Sequence, residues 1–139
     1  MILVAVLAAV AMPKFDAALG LRSDAWRDEV VSALRHAHQT AVSHRRLVCA
    51  VVGSTSVTLT IAANNPATTC GSSLPGPDGG SAYTTSTGGT TASLSPAGTL
   101  YFQPNGRVTS DGAGSTASDR SITIGSTSIV VVGETGHVR

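Results

Sequence analysis

Apolar positions fall into three rhythms along the chain. Residues 2–12 (ILVAVLAAVAM) are uninterrupted apolar sequence, ended by Pro13, Lys14 and Phe15. Beyond them Leu19, Trp26, Val30, Leu34, Ala37 and Ala41 recur at helical intervals, with Val31 and Ala33 beside them. Arg22, Asp24, Arg27, Asp28, Arg35, His38 and Gln39 fill the opposite face. This spacing predicts one helix from the apolar run to about His44, kinked at Pro13 and amphipathic beyond it. After Arg45 and Arg46 the period becomes two. Residues 47–52 (LVCAVV), apolar on both faces, read as a central strand, and residues 57–61 (VTLTI) alternate strictly, as a half-buried strand does. Residues 64–93, rich in Gly, Pro, Ser and Thr, predict long loops with at most a short strand around Tyr83.

Residues 99–103 (TLYFQ) form the next predicted strand, turned by Pro104, Asn105 and Gly106. Residues 111–119 read as a polar loop. Two short strands follow, 121–124 and 128–132, joined by Gly125, Ser126 and Thr127, and a last short piece ends at Val138 and Arg139. The predicted order is one long helix followed by five or six antiparallel strands. That is an α+β fold, a long N-terminal α-helix packed on a C-terminal antiparallel β-sheet head. Residues 1–13 and 14–45 are its apolar and amphipathic helical parts and 46–139 the head, with 14–139 forming one domain.

The apolar run admits three readings. As a helix, residues 2–12 would span only ~17 Å, against ~30 Å of hydrocarbon in a bilayer. It could be the apolar region of a signal peptide, for which Ala9, Val10 and Ala11 offer a small-residue cleavage pattern, although no basic segment precedes it. It could be a buried core helix, although a chain of this length with mostly β and turn character can hardly surround it. In the third reading Ile2, Leu3, Val4, Val6, Leu7 and Val10 belong to the C-terminal half of a longer membrane helix. The resumption of helical spacing after Pro13 favours the third.

Composition narrows the class. Aromatic residues are 4% and charged residues 12% of the chain, about half the usual charged share. Gly, Ser, Thr and Ala fill the gap, which suits an extracytoplasmic β-rich head better than a cytosolic enzyme. A net charge of +1 implies no general attraction to nucleic acid or anionic membrane. Six basic and four acidic residues lie in 14–46, and three basic and four acidic in 47–139, so the head is close to neutral. Cys49 and Cys70 are the two cysteines. In an exported protein such a pair forms a disulfide, and closing this loop contributes roughly 3 kcal/mol. The alternative is a buried free Cys49 and an incidental, exposed Cys70.

Catalytic patterns are missing. Gly71, Ser72, Ser73, Leu74 and Pro75 lack the second glycine of a nucleophile elbow. His36 and His38 point about 160° apart on a helix, and neither makes an i, i+4 pair with the other or with His44 that would share a zinc. Asp28 and Glu29 read as charges on a helix face. No phosphate-cradling loop or dinucleotide fingerprint is present. These residues point to no enzyme activity, no metal and no cofactor.

Several segments carry a family resemblance. Residues 11–15 (AMPKF) resemble the end of the type IV pilin helix. Residues 28–39 (DEVVSALRHAHQ), with Leu34, Arg35, Ala37 and Ala41, look like the amphipathic helix of GspH/FimT-like minor pilins and type II secretion pseudopilins. Residues 101–107 (YFQPNGR) are similar to the F-x-P-x-G-R turn of that group, and residues 134–139 (ETGHVR) to its C-terminal strand. Minor subunits of mannose-sensitive haemagglutinin pili, in which a Cys pair is common, are closest in flavour. The leader, the Gly-Phe cleavage site and the following Glu of the family are missing. If Pro13 matches the family proline, Met1 falls inside the membrane helix, as with a start codon placed too late or a truncated chain.

The resemblance implies a pilin-like fold and a non-enzymatic subunit of a type IV pilus or type II secretion system. Such a subunit sits in the bacterial inner membrane by a single pass, head in the periplasm, and then enters a pilus or pseudopilus fibre. Its partners are other pilin-like subunits, met through the N-terminal helix. Two alternatives stand beside it. Some FimT-like pilins capture DNA through a Gly-Arg-x-Arg motif. Here Gly136, His137, Val138 and Arg139 replace the first arginine with histidine, leaving Arg107, Arg120 and Arg139 as DNA contacts. So few contacts imply weak, salt-sensitive binding and make this the lesser reading. A secreted β-rich protein with a signal peptide would instead have its mature N-terminus at Met12. Contacts with neighbours or an adhesive ligand are expected in the exposed loop 66–93.

Overall fold

A computed structural model describes the backbone of residues 2–86 and 89–139 and the side chains of residues 23–86 and 89–139. Helix α1 (Ile2–His44) is followed by nine strands: β1 (Val48–Val52), β2 (Ser56–Ile61), β3 (Ser72–Leu74), β4 (Thr84–Thr85), β5 (Ala92–Ser95), β6 (Leu100–Phe102), β7 (Val108–Thr109), β8 (Arg120–Ile124) and β9 (Thr127–Val131). They build two antiparallel sheets. One has the order β3-β2-β1-β6-β7, with β4 also pairing β2, and the other has the order β5-β8-β9.

This overturns the expected α+β, pilin-like arrangement of a long helix packed on a single sheet. Only residues 23–44, about six turns, are helix with described packing, and they meet two sheets in a mostly β molecule. The additional strands come from segments whose composition reads as loop. Ser72–Leu74 pairs with Leu59, Thr60 and Ile61, and Ala92–Ser95 pairs with residues 121–124 of β8. Because β5 takes β8 as its neighbour rather than β6, the strands divide into two layers instead of extending one.

Alternation explains the core. In β2, Val57, Leu59 and Ile61 turn inward while Ser56, Thr58 and Thr60 stay half-exposed. Trp26, Val30, Leu34, Ala37 and Ala41, spaced at helical intervals, are all buried. They join Val48, Ala50, Leu100 and Phe102 of the larger sheet and Ile122, Ile124, Ile129 and Val131 of the smaller one in a single cluster. Each large aliphatic chain buried there contributes about 1.5–3 kcal/mol.

The far face of the larger sheet carries a smaller cluster of Leu47, Cys49 and Ala62, packed by Ala67, Cys70 and Tyr101. Both faces of β1 are therefore apolar at its start, as its central place in the sheet requires. Where the cluster ends, Val51 is 51% exposed. Cys49 and Cys70 are disulfide-bonded, with Cα atoms 6.1 Å apart, and tie the loop after β2 onto this face.

Two junctions close the molecule. Helix α1 ends with Arg45 in the left-handed region (φ 54°), and the Arg46 amide reaches back to the Ala41 carbonyl at 3.2 Å. This is the hydrogen bond of a helix C-cap in which glycine is the usual residue. At the other end, residues 137–139 run beside β9: the Val130 amide donates to the Arg139 carbonyl at 2.8 Å and the Arg139 amide to the Val130 carbonyl at 3.0 Å.

Candidate functional site

The packed stretch of α1 has a different neighbour on each flank. On one side the chain between β3 and β4 leans against the helix and leaves a groove of about 630 Å³. Asp28, Glu29 and Ser32 line it from the helix, and Pro77, Asp78 and Tyr83 from the loop. The Thr84 hydroxyl donates to Glu29 at 2.5 Å, and the His36 ring stacks on Tyr83 with centroids 5.4 Å apart. An adjoining hollow of about 410 Å³ continues along the helix past Arg35 and Gln39. Asp28, Glu29 and Asp78 are all exposed. Asp28 lies 3.5 Å from Arg27 in a surface pair of the kind worth at most about 1 kcal/mol, and the Asp78 carboxylate accepts the Gly80 amide at 2.9 Å.

The opposite flank is a close-packed junction of three segments distant in sequence. His38 Nε2 lies 3.1 Å from the Gly106 carbonyl, and Arg35 donates to the Val138 carbonyl at 3.0 Å. Gly136 (φ 73°) completes it. A Cβ there would stand 2.2 Å from His38 Cδ2 and 2.3 Å from the Gly106 oxygen, so only glycine fits. The helix segment 28–39, the turn 101–107 and the terminal segment 134–139 thus meet around one imidazole.

The three arginines expected to contact DNA have different settings. Arg107 faces Glu134, with Nη2 donating at 3.4 Å and Nε 3.3 Å from the carboxylate but off the hydrogen-bond direction. Arg120 is 4% exposed. It donates to the Pro96 carbonyl at 2.8 Å, the Thr99 carbonyl at 3.4 Å and the Ser118 hydroxyl at 3.2 Å. Burial lowers its pKa from the ordinary arginine value. Its role here is to hold the β5–β6 turn against β8. Arg139 is exposed beside β9.

His36 and His38 occupy opposite flanks, and His44 is exposed at the helix end. Among the described residues no three His, Cys, Asp or Glu side chains converge as metal ligands. Asp28 and Glu29, read from sequence as a charged face, are instead the helix side of the groove. Its loop side, Pro77 to Tyr83, lies in the Gly- and Pro-rich stretch, where no periodicity marks which residues return to the helix.

A third concavity, about 400 Å³, lies between the disulfide-closed loop (Asn65, Pro66, Ala67) and Gly112 and Ala113. Beside it the Ser115 hydroxyl and amide donate to Asp111 and hold its carboxyl below the usual range. The side chains of Ile2, Leu3, Val4, Val6, Leu7 and Val10, expected in a membrane helix, lie outside the described residues. Among the described residues no helix is long and apolar enough to cross a membrane. No family model, curated protein or solved structure matches the chain.

Proposed function

We propose that the chain is a non-enzymatic fibre subunit, a minor pilin or pseudopilin of a type IV pilus or type II secretion system. The reading does not rest on a helix-on-one-sheet architecture, which the structure overturns. The observation that carries it is the apolar run of residues 2–12 at the start of α1, the helix whose later residues are built into the head. Eleven consecutive apolar side chains are stable only in lipid or under other apolar helices, and a fibre core of bundled helices supplies the second. Further support comes from the meeting of the segments 28–39, 101–107 and 134–139 around His38, which gives their joint presence in the sequence a structural reason. In this role the disulfide and the two-layer core keep the head folded outside the cytoplasm, and the helix makes the inter-subunit contacts.

Shearing fibres from cells and probing them for the chain tests the reading. The expected result is recovery in the fibre fraction with the apolar run attached, and in the inner membrane when assembly is blocked. Recovery only as a free protein beginning at Met12 would overturn it in favour of a secreted β-rich protein.

A further inference from the structure

Of the nine Lys/Arg and eight Asp/Glu side chains, Lys14, Arg22 and Asp16 precede residue 23, which leaves seven of each sign in residues 23–139. That part of the chain is neutral, and its charges are unevenly placed. Asp28, Glu29 and Asp78 gather at the groove between α1 and the β3–β4 loop, with no cation among the groove's own lining residues. At the far end of α1, Arg45 and Arg46 are both exposed. Among the described residues neither has an ion-pair partner.

The cap at φ 54° ends the helix at Arg45 and places Arg45 and Arg46 together on the exposed corner. The groove and the corner cannot meet within one molecule. Sixteen residues of helix separate Glu29 from Arg45, on the order of 24 Å, beyond the reach of an arginine.

We propose that the Asp28, Glu29 and Asp78 end of the groove receives the Arg45–Arg46 corner of a second copy of this chain. The Tyr83 ring and the Pro77 edge give the guanidinium groups a flat surface to lie on, and the carboxylates accept their donors. Such a contact joins two different surfaces, so a pair of copies keeps one free groove and one free corner, and association can continue head to tail beyond two copies. The inference deepens the fibre reading and rests on it for its setting, but the contact itself is a property of the head.

The test is sedimentation of the full chain in detergent at ~50 mM and ~500 mM salt, which lengthens or shortens the reach of exposed charges. Self-association should weaken about tenfold at the higher salt, and about tenfold in either charge reversal, Arg45→Glu with Arg46→Glu or Asp28→Lys with Glu29→Lys. An equimolar mixture of the two reversals should recover it, because the Glu corner then meets the Lys groove and the Arg corner the acidic one. The milder pair Arg45→Gln with Arg46→Gln should show a partial loss, roughly threefold. Association unchanged in either reversal, or a mixture that stays dissociated while circular dichroism reports both chains folded, would overturn the contact. Fibre fractionation separates the two ideas. Salt-sensitive, charge-complemented association of a chain never found in fibres refutes the fibre reading alone. A fibre-borne chain with charge-insensitive association refutes the contact alone.

Discussion

On one flank of α1, Gly136 and the Gly106 carbonyl bring backbone into direct contact with His38, whereas on the other Glu29 and His36 reach Thr84 and Tyr83 through side-chain tips. The same helix is therefore clamped on one side and only leaned upon on the other. The clamped side has no space to alter, because each partner is fixed by main chain. The leaning side has about 630 Å³ of open groove and can change residue by residue without disturbing the core.

Two glycines with nearly equal φ separate the flanks most sharply. Gly136 (φ 73°) has His38 and Gly106 in the way of a Cβ, while Gly79 (φ 77°), in the loop of the groove, has nothing within 4 Å. Gly136→Ala should lower unfolding stability in urea by roughly 3 kcal/mol or more through overpacking and left-handed strain together. Gly79→Ala should lower it by only about 1 kcal/mol, the strain alone. Equal losses would mean that conformation, not space, sets the difference, and the distinction between the flanks would fall. A second measurement concerns the far face of the larger sheet. Replacing both Cys49 and Cys70 with Ala should lower stability by about 3 kcal/mol. Hydrogen exchange near His38 should remain unchanged relative to global unfolding if the loop and the clamp are independent. The smallest effect belongs to the groove. Thr84→Val removes the exposed bond to Glu29 and should change stability by no more than about 1 kcal/mol. A larger loss would show that the groove wall is structural.

Much of the core was legible in the sequence because its periods are strong. Trp26, Val30, Leu34, Ala37 and Ala41 declare a buried helix face, and the alternation in Val57, Leu59 and Ile61 declares an inward strand face. What the sequence concealed is how the strands divide. Ala92, Ser93, Leu94 and Ser95 alternate apolar and polar, but two apolar side chains in a Ser- and Thr-rich stretch are too weak a signal to mark a strand. That strand, β5, is the one whose pairing with β8 creates the second sheet. β7 spans two residues, too few for any period to register. The groove was half-visible. Its helix side stood out as charge, while its loop side depends on how Pro77 to Tyr83 folds back, and turn-rich composition does not encode that destination. Arg120 was misleading in another way, since nothing in its neighbourhood foretells that backbone carbonyls, rather than an acid or a phosphate, receive its guanidinium.

The short run of residues 137–139 along β9 bears on solubility. A strand at the border of a sheet is a row of unclaimed amides and carbonyls, ready to template the backbone of any extended chain it meets. Here Arg139 claims part of that row through its reciprocal bonds with Val130, and the charged side chain it carries discourages a stranger from stacking alongside. Peeling those few residues away would uncover the core that Val138 helps to close and, at the same stroke, turn the smaller sheet into a nucleus for aggregation.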